Sequence, residues 1–448
     1  MKRYIAADFG AGSGRVIVGT VLSNGIELDE VHRFPNRQIR LGGTLYWDFL
    51  SLFEELKKGL KKAFAKYNGI VSIGVDTWGV DFGLIDQNGH LVSNPVCYRD
   101  TRTNGILEKA FRMMSESEWY ALTGNQFMEI NTAFQLYSMV LSNDPTLKAA
   151  EKLLFTPDLF NYFLTGVAVN EYTIASTSQL FHHGAQNWAT EIFKRLSIPQ
   201  SIMQKIVPSG TILGELLPEI TTEIGGTGVK VVAVGSHDTA SALASIEPEG
   251  ENWAFISSGT WSLMGIETEK PILSTEAMKC NFTNEGTVNG KIRFLRNITG
   301  LWLLQSLMKE WETQGKSCSY TDMIAEAEHC SLESVLEVDD PCFNNPTSMS
   351  KAIEQYCKER NLKVPQTQGE YMRCVALSLA TKYAEVKQSL EKCSGRKIHT
   401  IYIVGGGSQN QLLNRLTEEL TGAKVICKAV EATAIGNIKV QHTINQHL

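Results

Sequence analysis

The chain has 448 residues and carries 42 Lys and Arg against 48 Asp and Glu, so its formal net charge is −6. This length predicts two or three domains, each able to bury a core. The charges are well mixed, and the lack of a basic run argues against nucleic acid or an anionic membrane as a partner. No stretch reaches the roughly 18 consecutive apolar residues that a transmembrane helix requires.

The amino terminus and the cysteines predict a cytoplasmic protein. Asp8 interrupts the apolar residues that follow Lys2 and Arg3, which argues against a secretory signal peptide. The nine cysteines are scattered and form no Cys-x-x-Cys pair, which argues against a disulfide framework and against a zinc site. A disulfide between Cys357 and Cys374 is the alternative that we keep open.

A glycine-rich turn joins two predicted strands near the amino terminus. Residues 4–9 and 16–21 are the strands, and residues 10–15 are the turn. This order differs from the Rossmann fingerprint, in which a helix follows the turn, and Arg15 stands where the third glycine would be. The backbone N–H groups of such a turn can bind phosphate oxygens because no Cβ blocks the approach. An ordinary tight hairpin is the alternative.

A polar and aromatic cluster follows an amphipathic helix that the apolar spacing predicts over residues 49–67. The cluster contains Asp76, Trp78, Gly79 and Asp81, between two predicted strands. It suits a sugar, because carboxylates accept hydrogen bonds from hydroxyls and an indole covers the C–H face. Trp78 as a plain core residue is the alternative.

The stretch 231–244 predicts a buried strand that ends at Gly235 and a helix that begins near Asp238 and Thr239. Polar residues at such a junction lie at the carboxyl edge of a sheet, where open α/β sheets bind ligands. Asp238 can there accept a proton from a sugar hydroxyl. A helix N-cap is the other interpretation of Asp238.

A turn-rich acidic segment at residues 245–252 predicts a boundary between a domain of residues 1–245 and a domain of residues 246–448. Residues 253–266 then repeat the strand–turn–strand layout of the amino terminus, which suggests an internally duplicated fold. The two turns are candidates to hold one polyphosphate.

The second domain offers further polar candidates. Asn297 and Gln305 lie around the start of a predicted helix, with a helix cap and a surface amide as their alternatives. A long helix is predicted over residues 370–393, and a strand at 401–404 runs into three glycines at 405–407. Such a turn lets a planar adenosine lie on bare backbone. A plain turn is the alternative.

In this order, these pieces resemble the FGGY carbohydrate kinases. Each motif alone is weak, but seven motifs in register over nearly the whole chain are specific. The stretches that carry the resemblance are residues 8–15, 76–82, 98–103, 236–241, 257–265, 300–305 and 404–407.

The resemblance implies a two-domain α/β fold of the hexokinase and actin type (ribonuclease H-like), with an interdomain cleft. It implies ATP-dependent phosphorylation of L-rhamnulose at its 1-hydroxyl, with Mg²⁺, in L-rhamnose catabolism. L-Fuculose and L-xylulose are the alternative substrates, since the orientation of one hydroxyl separates such sugars. The partners are then the ketose and ATP, in a monomer or homodimer.

The resemblance also assigns roles to residues that match the family motifs. Asp238 matches the general base, and Asp8 matches a carboxylate near the metal. The remaining matches are Ala11, Gly12, Ser13, Gly14, Arg15, Gly259 and Thr260 for the phosphate loops; Gln305, Gly405 and Gly406 for the nucleotide; and Gly79, His237, Asp238, Thr239 and Asn297 for the sugar. Asp76 and Trp78 join the sugar set on the chemistry of their own cluster.

The carboxyl-terminal stretch departs from the family pattern. Family members continue well past the segment at residues 434–437, whereas this sequence ends at residue 448. We therefore expect the second domain to be shortened at its end, with a final helix that lacks the usual apolar continuation. That shortening is the one feature in favour of a catalytically silent sugar-binding homologue. A chaperone-like or cytoskeletal ATPase would need polymer or peptide surfaces, of which the sequence gives no sign.

Overall fold

The computed structural model describes residues 2–344 and 346–446. The strands are β1 (Arg3–Phe9), β2 (Ser13–Leu22), β3 (Gly25–Pro35), β4 (Gln38–Leu41), β5 (Thr44–Trp47), β6 (Ile70–Thr77), β7 (Phe82–Ile85), β8 (Lys152–Phe155), β9 (Asn170–Glu171), β10 (Phe181–His182), β11 (Asn187–Trp188), β12 (Ile206–Val207), β13 (Thr211–Glu215), β14 (Lys230–Ala233), β15 (Trp253–Ser258), β16 (Trp261–Thr268), β17 (Thr283–Gly286), β18 (Ile292–Thr299), β19 (Thr400–Val404) and β20 (Lys424–Cys427).

The α-helices are α1 (Phe49–Lys66), α2 (Ile106–Met113), α3 (Glu116–Thr123), α4 (Thr132–Leu141), α5 (Pro145–Ala149), α6 (Thr156–Thr165), α7 (Tyr172–Ala175), α8 (Thr190–Leu196), α9 (Pro218–Ile224), α10 (Asp238–Ala244), α11 (Thr275–Lys279), α12 (Trp302–Thr313), α13 (Tyr320–Glu328), α14 (Met349–Glu359), α15 (Gln368–Ser394), α16 (Gln411–Thr421) and α17 (Ala432–Ile444). Short 3₁₀ helices lie at Thr101–Thr103, Gln200–Ile202, Pro341–Phe343 and Gly406–Gln409. Among the helices of the described residues, none is both long and apolar enough to cross a membrane.

The chain divides into two compact units. The first is formed by Met1–Ser245, Thr268–Arg293 and Thr433–Leu448, and the second by Ile246–Glu267 and Phe294–Ala432. Two segments that follow residue 245 therefore belong to the first unit. The domains of residues 1–245 and 246–448 stay a prediction about the sequence, distinct from these units.

The first unit is built on a six-stranded mixed sheet with the strand order β13–β14–β6–β1–β2–β3. β1 and β2 pair antiparallel across the glycine-rich turn, as predicted, while β1 pairs parallel with β6, and β6 parallel with β14. Because side chains alternate along a strand, β1 sends Ile5 and Ala7 to one core cluster and Tyr4 and Ala6 to another.

Helices cover both faces of this sheet. On one face, α1 buries Leu52, Leu56 and Leu60, which recur at the helical spacing seen in the sequence. On the other face, Ala434 and Ile438 of α17 pack against Tyr4 and Ala6. The last helix of the chain is thus part of the core of the first unit.

The second six-stranded sheet has the order β17–β18–β16–β15–β19–β20. Strands β15, β19 and β20 and most of β16 and β18 belong to the second unit. β15 and β16 pair antiparallel, and β15 pairs parallel with β19, which pairs parallel with β20. In both units, then, an antiparallel hairpin is followed on one side by two parallel strands. The internal duplication that the sequence suggests is present in the topology.

The long helix α15 spans two residues more at its start and one more at its end than the prediction over 370–393. Thr367 caps its first turn, and Gly395 ends it in the left-handed region at φ 69°. The helix buries Cys374, while Cys357 is buried in α14, and both are free thiols. The alternative of a disulfide between them is therefore not realised in this structure.

Replacing Gly436 by Ala tests the packing of α17. An added Cβ would lie 1.7 Å from the Ser241 carbonyl oxygen of α10, so the helix has to shift. We expect urea unfolding to show a loss of about 2 kcal/mol, because overpacking outweighs the ~1 kcal/mol gain in helix propensity. Thr443→Ala, at an exposed position of the same helix, is the control and should change stability by less than about 0.5 kcal/mol. Equal stability of the two variants would contradict this packing.

Candidate active site

Three carboxyl groups lie at the carboxyl edge of the first sheet. Asp8 at the end of β1 is in register with Asp76 on the parallel neighbour β6, and opposite Arg15 on β2. Asp238 begins α10, directly after β14, and the preceding residue, His237, forms a parallel bridge with Thr77. Carboxyl ends of parallel strands meet at one edge of a sheet, so the three groups converge as the sequence predicts for Asp238.

The three carboxyl groups differ in accessibility. Asp76 is fully buried, the Asp8 side chain is 8% exposed, and the Asp238 side chain keeps 33% of its surface exposed. Arg15 forms an ion pair with Asp8. Of the three, Asp238 is therefore the group that a substrate can reach.

Asp238 is not the N-cap of its helix. The cap position belongs to His237, and Asp238 is the first helical residue, with its Oδ1 accepting from Thr239 N at 2.5 Å and Thr239 Oγ1 at 3.1 Å. The capping interpretation is thus wrong. Thr239 instead fixes the orientation of the Asp238 carboxylate.

Burial and neighbouring charges set the protonation states at this edge. Burial, followed by the charge of Asp8, raises the pKa of Asp238 to about 6. The same two causes raise the pKa of Asp76 well above its usual value. Burial and the positive charge of Arg293 lower the pKa of His237 well below its usual value. At neutral pH the site therefore presents an ionised Asp238 beside a neutral imidazole.

Gly79 stands against His237. A Cβ on Gly79 would lie 2.8 Å from His237 Nε2, so only glycine permits this approach. The next residue, Val80, has φ 67°, a conformation that a β-branched residue rarely adopts. Its carbonyl is held by Thr132 Oγ1 at 2.7 Å. Local strain of this kind concentrates at ligand sites, where the surrounding structure enforces it.

Trp78 belongs to the core of the first unit. It is 6% exposed, and its ring centroid lies 4.3 Å from that of Trp47. Both indole N–H groups donate to Asp81 Oδ2, from Trp47 at 2.6 Å and from Trp78 at 2.9 Å. Trp78 is thus a core residue, as the alternative interpretation of the sequence proposed. A contact between Trp78 and a sugar stays a prediction. Asp81, which the sequence placed in the cluster without a role, anchors both rings.

Arg293 is a buried cation that the sequence analysis did not identify, because an arginine within a strand pattern carries no motif. It is fully buried, and its Nη2 lies 2.8 Å from Glu285 Oε2. This contact is an ion pair without hydrogen-bond geometry, since no guanidinium nitrogen has a hydrogen-bond partner within the described residues. The positive charge acts on Asp238 and His237 together.

The first phosphate-loop candidate lies at the turn of the β1–β2 hairpin. Gly10 N donates to Ser13 O at 2.9 Å, which closes the turn, and Asn36 N donates to Gly12 O at 3.1 Å. A Cβ on Gly12 would meet nothing within 4 Å, so its backbone faces open space beside Ala11. Gly14 packs against the Phe34 ring, from which a Cβ would lie 2.4 Å, and its contact with phosphate stays a prediction.

The nucleotide candidates converge within the second unit. Thr260 Oγ1 donates to Gln305 Oε1 at 3.0 Å, and Leu301 N donates to Gly259 O at 2.9 Å. Gly405, at φ 84°, lies against the end of β15, where a Cβ would be 2.8 Å from Ser258 O, while Gly406 faces open space. These positions therefore form one cluster of small residues.

Asn297 does not cap the helix that follows it. It lies within strand β18 and is partly buried, whereas α12 begins at Trp302 with Leu301 in the cap position. The capping alternative for Asn297 is thus wrong. Gln305 is exposed on α12, where its amide is bonded to Thr260.

Comparisons with known proteins agree with this arrangement. The chain matches the FGGY family of carbohydrate kinases, N-terminal domain, over residues 3–245, and the C-terminal domain of that family over residues 254–443. It is 42% identical to the rhamnulokinase of Bacteroides thetaiotaomicron, covering 98% of this chain and 90% of that protein. The rhamnulokinase of Oceanobacillus iheyensis is 40% identical, with 98% and 92% covered.

Solved structures show the same fold. A ligand-bound xylulose kinase from Lactobacillus acidophilus superposes with a TM-score of 0.81 at 14% identity, over 100% of this chain and 90% of that one. A Plasmodium falciparum glycerol kinase with ADP gives 0.80 at 16% identity, with 100% and 90% covered. The fold is the two-domain α/β fold of sugar kinases. The chain belongs to the FGGY family of carbohydrate kinases.

Removing one member of the Arg293–Glu285 pair tests how much the pair contributes to the free energy of unfolding. Arg293→Met leaves Glu285 as a buried, unpaired carboxylate, so we expect urea unfolding to show a loss of about 3–5 kcal/mol. The double variant Arg293→Met/Glu285→Met removes both charges and should recover most of that loss. Equal destabilisation in the single and double variants would contradict a pairing role for Arg293.

Proposed function

We propose that the protein is an ATP-dependent rhamnulokinase that transfers the γ-phosphoryl group of ATP to the 1-hydroxyl of L-rhamnulose. The observation that carries the proposal is the 42% identity to a rhamnulokinase over 98% of the chain. The accessible Asp238 carboxylate beside His237, at the edge of the first sheet, supports it. A cytoplasmic location and a monomeric or homodimeric state stay predictions.

In this proposal Asp238 is the general base. Phosphoryl transfer passes through a loose transition state, so positioning and charge neutralisation dominate the rate. The Asp238 carboxylate accepts a hydrogen bond from the sugar hydroxyl and takes its proton as the new O–P bond forms. Thr239 holds the carboxylate in place for this step. The neutral imidazole of His237, backed by Gly79, offers a second polar contact to the sugar.

The phosphates of ATP are assigned to the two hairpin turns, in addition to the nucleotide contacts of Gln305, Gly405 and Gly406. Ala11, Gly12 and Ser13 supply N–H groups in the first unit, and Gly259 and Thr260 supply them in the second. Arg15 is also a phosphate contact in this assignment. Asn297 stays in the predicted sugar set.

Asp8 is the residue of this site that would bind Mg²⁺. Among residues 2–344 and 346–446, no group of three His, Cys, Asp or Glu side chains is arranged to hold a metal ion. Mg²⁺ is usually held by one or two carboxylates together with phosphate oxygens and water, so a single Asp8 suits it. When bound, the ion supplies neutralisation of the phosphate charge.

The substrate is tested with a panel of ketoses. L-Rhamnulose, L-fuculose and L-xylulose are offered with ATP, and ADP release is followed in a coupled assay. Preferred turnover of L-rhamnulose supports the proposal. Preferred turnover of another ketose replaces L-rhamnulose as the assigned substrate. Absence of turnover on every sugar indicates a catalytically silent sugar-binding protein.

Asp238→Asn removes the base while conserving shape. We expect kcat for L-rhamnulose to fall by about 10³-fold, as for loss of a general base, while calorimetry still shows sugar binding. Asp29→Asn, which removes the charge that Lys66 and the Tyr67 hydroxyl contact on β3, is the control and should keep wild-type kcat. Near-normal turnover of Asp238→Asn would overturn the base assignment.

The raised pKa of Asp238 predicts an acidic limb in the rate profile. The base acts only when ionised, so kcat/KM should rise with pH through about 6 and level off above it. Initial rates between pH 5 and 8 with saturating ATP measure this. A flat profile over that range would be inconsistent with Asp238 as the base.

A further inference from the structure

The last helix, α17, carries a row of buried amides. Asn437 and Gln441 are four residues apart and lie on one face of the helix, and Asn445, directly after its last residue, continues the same spacing. Asn437 and Gln441 are fully buried, and Asn445 is 5% exposed. Burying an amide is costly unless it is hydrogen-bonded, so these side chains need specific partners.

Strand β6 supplies most of those partners. Asn437 Nδ2 donates to Asp76 Oδ2 at 2.6 Å and to Gly74 O at 3.1 Å. Gln441 Oε1 accepts from Ser72 Oγ at 2.7 Å, and Gln441 Nε2 donates to Asn437 Oδ1 at 2.6 Å. Ser72, Gly74 and Asp76 are alternate residues of the strand and therefore share one face.

The spacings of the two elements match. Four residues of helix rise ~6.0 Å, and two residues of strand rise ~6.6 Å, so Asn437 and Gln441 reach successive residues of the strand face. Gly74 makes room for this contact, because a Cβ there would lie 2.5 Å from Asn437 Oδ1 and 2.9 Å from Gln441 Nε2. The glycine in β6 and the amides of α17 thus form one matched interface.

The same turn of α17 also touches the helix that begins with Asp238. Gly436 lies against the Ser241 carbonyl of α10, and Lys439 Nζ donates to Ser245 O at 3.3 Å. One turn of α17 therefore contacts both the strand that carries Asp76 and the helix that carries Asp238.

Asn437 controls the orientation of the Asp76 carboxyl. Asp76 Oδ2 accepts from Asn437, while Asp76 Oδ1 is buried without a hydrogen-bond partner in the described residues. Asp76 is fully buried, so it acts on its neighbours through the orientation of its carboxyl group. Asp8, in register on β1, and Asp238 both interact electrostatically with it.

We propose that Asn437 is a positioning residue for phosphoryl transfer, which holds the Asp76 carboxyl in the one orientation compatible with the arrangement of Asp8 and Asp238. The inference rests on the proposed kinase function. Loss of this hydrogen bond changes the orientation of the Asp76 carboxyl beside Asp8 and Asp238 but leaves the accessible residues that contact sugar and nucleotide in place. The expected signature is a lower kcat with nearly unchanged KM values.

Asn437→Ser tests the proposal against Asn445→Ser as a matched control. Both variants shorten a buried amide that donates to β6, but Asn445, directly after α17, donates to Ser72 and Gln441 instead of Asp76. We expect Asn437→Ser to lower kcat at least tenfold, with KM for ketose and ATP within threefold of wild type. Asn445→Ser should lower the melting temperature and keep kcat within twofold. An Asn437→Ser variant that is folded and keeps wild-type kcat would overturn the proposal.

A swap variant separates positioning from mere stabilisation. Asp76→Asn/Asn437→Asp keeps a carboxylate and an amide bonded to each other but moves the carboxylate to α17. We expect the melting temperature of the swap variant to lie closer to wild type than that of Asn437→Ser, while its kcat stays low. Recovery of both would show that only the contact matters, and it would refute the positioning role. The swap also decides the question if Asn437→Ser does not fold.

The wild-type protein, assayed first on the ketose panel, distinguishes the two proposals. Turnover of a ketose other than L-rhamnulose refutes the substrate assignment, and the Asn437 comparison is then made with that ketose. Absence of turnover with every ketose refutes the kinase function and the role of Asn437 with it.

Discussion

The parallel pairing of β1 with β6 is the constraint on which the candidate site depends. It sets Asp8 beside Asp76, and the parallel addition of β14 to β6 brings the start of α10, with Asp238, to the same edge. A slip of one residue in either pairing would turn these side chains to the opposite face of the sheet. The apolar residues of β1 and β6, buried among helices on both faces, resist that slip.

Placing three carboxyl groups at one edge is electrostatically unfavourable, and the surrounding residues offset it in different ways. Arg15 pairs with Asp8, and the buried Arg293 acts on Asp238 while its own charge is paired with Glu285. Among the residues that the structure describes, no cation is in hydrogen-bond contact with Asp76. Burial raises the pKa of Asp76, so its neutral form is favoured. The result is one accessible carboxylate with a pKa near 6, next to two carboxyls that are paired or shielded.

Sequence patterns predicted the elements that obey local rules. The two glycine hairpins, the strand before Asp238 and the long α15 follow from apolar spacing and turn chemistry, and the family motifs lie where these elements end. The role of α17 could not be predicted, because one of its buried faces carries the amides of Asn437 and Gln441. An apolar stripe is the signal that periodicity detects, whereas this face of the helix contacts β6 through hydrogen bonds. Arg293 was missed because an arginine within a strand pattern carries no motif. The role of Asp81 as the acceptor for the Trp47 indole was missed because Trp47 is distant in sequence.

The two sheets share a topology but differ in the side chains around their hairpins. This difference supports the different ligand contacts that we propose for the two units. In the first unit the hairpin is bordered by Asp8, Asp76 and Asp238, whereas in the second it is bordered by Ser258, Thr260, Gln305 and the glycines at 405–407. Carboxylates repel phosphates but accept hydrogen bonds from hydroxyls, so the first arrangement suits a sugar and a base. Hydroxyls, an amide and bare backbone N–H groups carry no negative charge, so the second suits a nucleotide. In the proposed function, a duplicated fold thus serves two dissimilar substrates: the sugar and the base lie at the copy that carries Asp8, Asp76 and Asp238, and the hairpin turns of both copies contact phosphate.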